Sequence, residues 1–141
     1  MSQAACARTI PFGRPWISSE DREAVLKVLD GHILTHGPEC AQFEEEFAGF
    51  MGSEAHCVSV SSGMAALHLA YLHFGIGSGD EVIVPAMTHV ATAHAVEWVG
   101  ATPVFVDCDR ATGNLTADRI AQAITPRTRA ISVVHFQGIP C

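Results

Sequence analysis

The chain has 141 residues, 48% hydrophobic and 16% charged, a globular composition that excludes the disordered, collagenous and low-complexity classes. Eight Lys+Arg against 15 Asp+Glu give a net charge of −7, which argues against a nucleic-acid backbone or an anionic membrane as the main partner. The five cysteines, Cys6, Cys40, Cys57, Cys108 and Cys141, form no CxxC or CxxH pair, and no stretch approaches the roughly 18 apolar residues of a membrane span, so a cytoplasmic protein without a disulfide framework is expected.

Met1–Thr9 carries one arginine and no long apolar run, unlike a secretory signal. Ser18-Ser19-Glu20-Asp21 opens a first helix with capping and acidic first-turn residues, and Val25, Leu26, Val28 and Leu29 give it an apolar side before Gly31 stops it. After the loop His32–Gly37, Pro38 stands at a first helical position. Phe43, Phe47, Phe50 and Met51 then predict one packed aromatic face, with Glu44-Glu45-Glu46 as the solvated side.

From Ala55 onward short β-branched runs alternate with Ala-rich helical stretches. Strands are predicted at Cys57–Val60, Glu81–Val84, Pro103–Val106 and Ala130–Val134, and helices at Met64–Phe74, Val90–Val99 and Thr116–Ile124. This β-α-β-α-β-α-β order implies an α/β fold: a mostly parallel sheet with helices on both faces and ligands beyond the carboxyl ends of its strands. Ala130–Cys141 reads as a strand followed by an unfinished loop, the front part of something longer.

Four strand ends are therefore the places to search. At Ser61-Ser62-Gly63-Met64-Ala65 a strand, a tight turn and a helix start present free N–H groups and a positive dipole end, a phosphate cradle. On spacing alone an ordinary junction with Ser62 as N-cap is the better reading. The dinucleotide fingerprint G-x-G-x-x-G and the P-loop pattern are absent. His89 falls where a flat ligand ring could stack, or is a surface histidine at a helix start. His32 and His36 sit in a glycine-bracketed loop, while His68/His73 and His89/His94 are five apart, so no metal site is expected. Asp107 and Asp109 suit a hard cation or proton transfer, but the following Arg-Ala-Thr-Gly-Asn favours a turn-shaping role. The cysteines have no evident base partner.

In this order the motifs resemble the DegT/StrS family of pyridoxal-phosphate-dependent nucleotide-sugar aminotransferases over nearly the whole chain. The resemblance begins at Ile10-Pro11-Phe12 and runs through Leu34-Thr35-His36-Gly37-Pro38 and Phe43-Glu44-Glu45-Glu46-Phe47 to Ser61-Ser62-Gly63-Met64-Ala65-Ala66-Leu67. It continues with Gly79-Asp80-Glu81-Val82-Ile83-Val84-Pro85, Thr88-His89-Val90-Ala91-Thr92-Ala93 and Gly100-Ala101-Thr102-Pro103-Val104-Phe105-Val106-Asp107. Ala123-Ile124-Thr125-Pro126-Arg127-Thr128 and Val134-His135 with Gly138 and Pro140 complete it.

The resemblance implies part of a fold-type-I aminotransferase large domain, with residues 1–54 an N-terminal helical segment and 55–141 the first part of the cofactor-binding α/β domain. It implies that the phosphate of pyridoxal 5'-phosphate rests on the helix beginning at Gly63, through the N–H groups of Met64 and Ala65. Met64 stands where a Thr is usual, so the amide is kept and a hydroxyl lost. His89 takes the place of an aromatic ring that stacks on the cofactor, and the Thr35–Pro38 loop that of one bordering the substrate entrance near a subunit interface. The strand Cys57–Val60 is expected at one edge of a seven-stranded sheet, next to strands that come later in the family's chain.

The Schiff-base lysine and the acidic partner of the pyridine nitrogen also come later in that chain. The single lysine here, Lys27, lies in the first helix, so no catalytic residue is expected within the chain and the chain itself should be inactive. The parent activity implied is transfer of an amino group from glutamate to a keto group on a nucleotide-linked sugar, in polysaccharide biosynthesis, by a homodimer. Sugar dehydration, as in some relatives, and a non-catalytic fragment or interaction module are the alternatives. A dinucleotide-binding dehydrogenase rests on the α/β alternation alone.

Overall fold

The computed structural model describes residues 11, 13–52 and 56–141; Cys6, the segment Met1–Thr9 and most of the Ile10-Pro11-Phe12 motif lie outside them. The chain divides into two compact units, Met1–Ser59 and Val60–Cys141.

The first unit carries two helices, α1 (Ser19–Leu29) and α2 (Pro38–Phe50). Extended Ser18 starts α1 with a reciprocal cap: its hydroxyl accepts the Asp21 N–H at 3.1 Å while the Asp21 carboxylate accepts the Ser18 N–H at 2.8 Å. Pro38 opens α2, where its missing N–H is one the helix would leave unpaired anyway. The expected packed aromatic face is not found. Phe43 and Phe47 meet each other at 5.9 Å between centroids, yet both are exposed, as are Phe50 and Met51, and neither helix has a buried residue. An amphipathic stripe is buried only when a second layer covers it, and the described residues of this unit provide none. In the glutamate run Glu45 and Glu46 are exposed as expected, and Glu44 differs. Glu44 is half-buried and accepts the Ser59 N–H at 2.6 Å and the Ser59 hydroxyl at 2.7 Å, bonds that draw its carboxyl below the usual range.

The second unit is a parallel sheet of β1 (Glu81–Pro85), β2 (Thr102–Val106) and β3 (Thr128–Ile131), in the order β2-β1-β3. Its helices are α3 (Gly63–His73), α4 (Ala91–Trp98) and α5 (Ala117–Ala123). Four strands are expected from the sequence and the sheet has three. Cys57–Val60 takes no place in it, and Val58 is 78% exposed. Its β-branched pattern alone does not make a strand, because a strand exists only against a partner that pairs its N–H and C=O groups. The last strand also starts earlier than predicted, at Thr128, where Arg127 O already accepts the Glu81 N–H at 2.8 Å.

Strand β1 is central and buried along its length, so it reads as a continuous apolar run rather than an alternation. Its side chains nevertheless serve two cores. Val82 and Val84 pack with Tyr71, Ile76, Ala95, Val96 and Ala101 beneath α3 and α4, whereas Ile83 packs on the other face with Val106 and Leu115, against Ile120 and Ala123 of α5. The β2-to-β3 connection passes over β1, which puts α5 on the face opposite α4. Because α3 and α4 each lead into the start of a strand, both run against the strand direction. Their N-terminal ends therefore lie toward the carboxyl edge of the sheet.

Candidate functional site

The cradle is built at the start of α3. Ser62 is extended (φ −163°, ψ 158°) and caps the helix, its hydroxyl accepting the Ala65 N–H at 3.2 Å while its carbonyl accepts the Ala66 N–H at 3.2 Å. Of the four amides a helix start leaves unpaired, the Ala65 amide is thus engaged by the Ser62 hydroxyl. Gly63 and Met64 keep N–H groups without a partner among the described residues. Space lies beside them, since a Cβ on Gly63 would meet nothing within 4 Å. The Met64 side chain is half-buried and packs against the core around Tyr71 and Val84. Ser62 was legible only as a cap. Its hydroxyl accepts from Ala65 and still has a proton to donate.

His89 follows β1 on the loop leading to α4 and is exposed. Its Nδ1 accepts the Ala91 N–H at 3.1 Å, and its carbonyl accepts the Thr92 N–H at 3.0 Å. Val90, the residue before α4, has no side-chain cap of its own, so the imidazole serves in its stead. This bond requires a lone pair on Nδ1, which leaves the proton of the neutral ring on Nε2. Beside it the hydroxyls of Thr88 and Thr92 lie 2.9 Å apart, with Thr92 buried.

The loop after β2 is shaped by Asp109. Its carboxylate accepts the N–H and hydroxyl of Thr112, at 3.0 and 3.1 Å, and the Ala111 N–H at 3.0 Å, which hold its carboxyl below the usual range. Asp107 instead accepts the N–H of Cys108 at 3.0 Å and faces Arg119 at 3.3 Å, and the same guanidinium donates to Cys108 O at 3.0 Å. The two aspartates therefore do separate structural work. Together with the ends of the neighbouring loops they border an open groove of about 620 Å³, lined by Met87, Arg110, Arg119, Phe136 and Gln137 among others.

The arrangement offers two main-chain N–H donors and a hydroxyl at the positive end of a helix, which suits a phosphoryl group, and a flat ring, which suits a planar partner. It holds no amine. Lys27 lies in the other unit, on α1, where it faces Glu39 at 3.7 Å.

The sequence profile of the DegT/DnrJ/EryC1/StrS aminotransferase family matches residues 15–141. Among solved structures, DesV from S. venezuelae, in complex with a ketimine intermediate, is 46% identical over 86% of this chain and 33% of its own, with a TM-score of 0.79. Spr1654 from Streptococcus pneumoniae, described as a sugar aminotransferase and solved in a PMP form, is 36% identical over 95% of this chain and 34% of its own, with a TM-score of 0.88. An aminotransferase from Psychrobacter cryohalolentis is 41% identical over 93% and 34%, with a TM-score of 0.84. The chain thus spans about a third of the length of the solved structures it matches.

Proposed function

The chain belongs to the DegT/DnrJ/EryC1/StrS aminotransferase family, and from that premise we propose that it supplies the phosphate cradle and ring wall of a pyridoxal 5'-phosphate-dependent aminotransferase acting on a nucleotide-linked keto-sugar. The observation that carries this reading is the start of α3, with two amides unpartnered among the described residues, a capping hydroxyl and open space at a helix's positive end. The donor set fits a phosphate dianion and the exposed imidazole fits a pyridine ring.

In this reading the N–H groups of Gly63 and Met64 and the Ser62 hydroxyl would hold the phosphate, the same hydroxyl keeping the Ala65 amide in the turn. Ala65 contributes through that turn. His89 stacks on the ring with its orientation set by the Ala91 N–H. When bound, the cofactor supplies the electron sink that amino transfer requires. The amine that anchors it comes from residues beyond those of this chain. Glutamate as amino donor, a homodimeric parent and a cytoplasmic location complete the proposal.

Titration of the protein with pyridoxal 5'-phosphate and with pyridoxal, followed by cofactor fluorescence, tests it. The phosphorylated form is expected to be retained preferentially, and Gly63→Pro to abolish the preference. Gly63 is the first residue of α3, where proline fits the helix and removes only one N–H. Equal retention of both compounds by the unsubstituted protein overturns the reading.

A further inference from the structure

The loop after β3 is held by a side chain from the loop after β2. Asn114 is 4% exposed, and both ends of its carboxamide are used on the main chain of that loop: Oδ1 accepts the Phe136 N–H at 2.9 Å and Nδ2 donates to Ile139 O at 2.8 Å. Between these two anchors Gln137 has φ 52° and ψ 28°, and Gly138 has φ 78°. A non-glycine residue is seldom left-handed, and such a conformation persists where its surroundings over-determine it. Here the surroundings are the two ends of one buried amide.

The residue before Asn114 sets the spacing of the same loops. Gly113 has φ +72°, and a Cβ there would lie 2.5 Å from Met87 Cε and 2.6 Å from Phe136 Cδ1. The loops after β1, β2 and β3 therefore meet at the Gly113 backbone. Met87 stands two residues before His89 in the loop that carries the ring wall.

We propose that Asn114 is a positioning residue of the site: its carboxamide holds the left-handed turn at Gln137 and, with Gly113, fixes the loop after β3 against Met87 and hence against the His89 loop. The inference rests on the cradle-and-wall reading given above. Replacement of Asn114 by alanine removes both anchors, and the strained turn then relaxes away from Met87. Glycine at position 137 removes the strain itself, so the same loss should matter less in a Gln137→Gly background.

The experiment compares unsubstituted protein, Asn114→Ala, Gln137→Gly and the double variant by amide exchange at Phe136, by NMR of the Met87 methyl and His89 ring, and by retention of pyridoxal 5'-phosphate. Asn114→Ala is expected to speed Phe136 exchange at least tenfold, to shift the Met87 and His89 signals and to weaken retention several-fold. The double variant should recover part of each. Faster exchange with unmoved Met87 and His89 signals overturns the inference, because the clamp would then position nothing beyond its own loop. Retention equal in all four proteins overturns it as well while leaving the cradle intact. Absence of retention by the unsubstituted protein overturns the cradle-and-wall reading and the role assigned to Asn114 together. Should Asn114→Ala fail to fold, Gln137→Gly alone decides: a stabilised protein supports the strained turn, and a destabilised one overturns it.

Discussion

Glu81 at the start of β1 and Arg127 immediately before β3 form an ion pair at the sheet edge opposite the candidate site. The Arg127 Nε donates to Glu81 Oε1 at 2.9 Å, its Nη2 bonds the same oxygen, and the Thr125 hydroxyl donates to the other. The Glu81 side chain is 8% exposed and that of Arg127 is 67% exposed. Arg127→Ala therefore leaves a buried carboxylate without its charged partner, and the unfolding midpoint should fall. Adding Glu81→Gln in that background should recover part of the loss, because a neutral amide costs less to bury unpaired. A double variant no more stable than Arg127→Ala would show that the pair contributes little.

The same bonds give a pH dependence. The Thr125 hydroxyl foremost, then Arg127, lower the Glu81 pKa, so the folded state binds the proton less readily than the unfolded one. The associated stability is fully present above the unfolded value of about 4.3 and is lost as pH falls through the lower folded value. Glu81→Gln should flatten the acid limb of a midpoint-against-pH plot. An unchanged limb would assign it to the other depressed carboxyls among the described residues, Glu20, Glu44 and Asp109.

At the cradle, two neighbouring substitutions should give crossed outcomes. Met64→Ala keeps the amide but removes a half-buried side chain from the core around Tyr71. It should cost about 1–2 kcal/mol of stability, below the roughly 2–5 of a fully buried methionine, with phosphate retention unchanged. Gly63→Pro should do the reverse, since the helix accepts proline there while one donor disappears. Thermal melts and phosphate-selective binding measured on both proteins separate the effects. Parallel losses in both would mean that the Met64 side chain is part of the site.

The alternation of strands and helices after residue 60 was legible because each element has its own period, and β1 was marked by an unbroken Val-Ile-Val run. Cys57–Val60 carries the same β-branched signal and forms no strand, since composition reports propensity and pairing depends on a neighbour elsewhere. The aromatic face of α2 failed for a related reason, its periodicity being intact and its covering layer missing among the described residues. At the site, the turn at Gly63 and the place of His89 were readable from spacing, but the occupation of the Ala65 amide by Ser62 was not. Asn114 read as a turn former, and only the fold brings it to Phe136 and Ile139, 22 and 25 residues away. Gly79-Asp80-Glu81 lies at the other end of the strands. There Asp80 accepts the Gly77 N–H at 3.0 Å, in a turn that delivers Glu81 to Arg127.

The core beneath α3 contains a loose end. Tyr71 is 6% exposed, and its hydroxyl has no hydrogen-bond partner among the described residues. Removing a buried polar atom that makes no bond relieves its desolvation cost while keeping the ring's packing against Val82 and Val84. Tyr71→Phe should therefore raise the unfolding midpoint or leave it unchanged. A fall of several degrees would show that the hydroxyl has a partner in solution, such as a buried water.

His89 combines two roles that substitutions can pull apart. Its Nδ1 accepts the Ala91 N–H at 3.1 Å and so finishes the start of α4, while its ring is the proposed wall. Phenylalanine keeps a flat ring and loses the acceptor; asparagine keeps an acceptor of similar reach and loses the ring. His89→Phe should retain pyridoxal 5'-phosphate while the Ala91 amide exchanges faster with solvent. His89→Asn should protect that amide and weaken retention by about 1 kcal/mol, the scale of an aromatic contact beyond area burial. The contrast depends on stacking needing a plane and capping needing a lone pair, and neither need is met by charge. If retention instead followed the Ala91 amide, falling with phenylalanine and surviving with asparagine, the imidazole would act on the site only by shaping the helix start, and the ring wall would have to be sought on another residue.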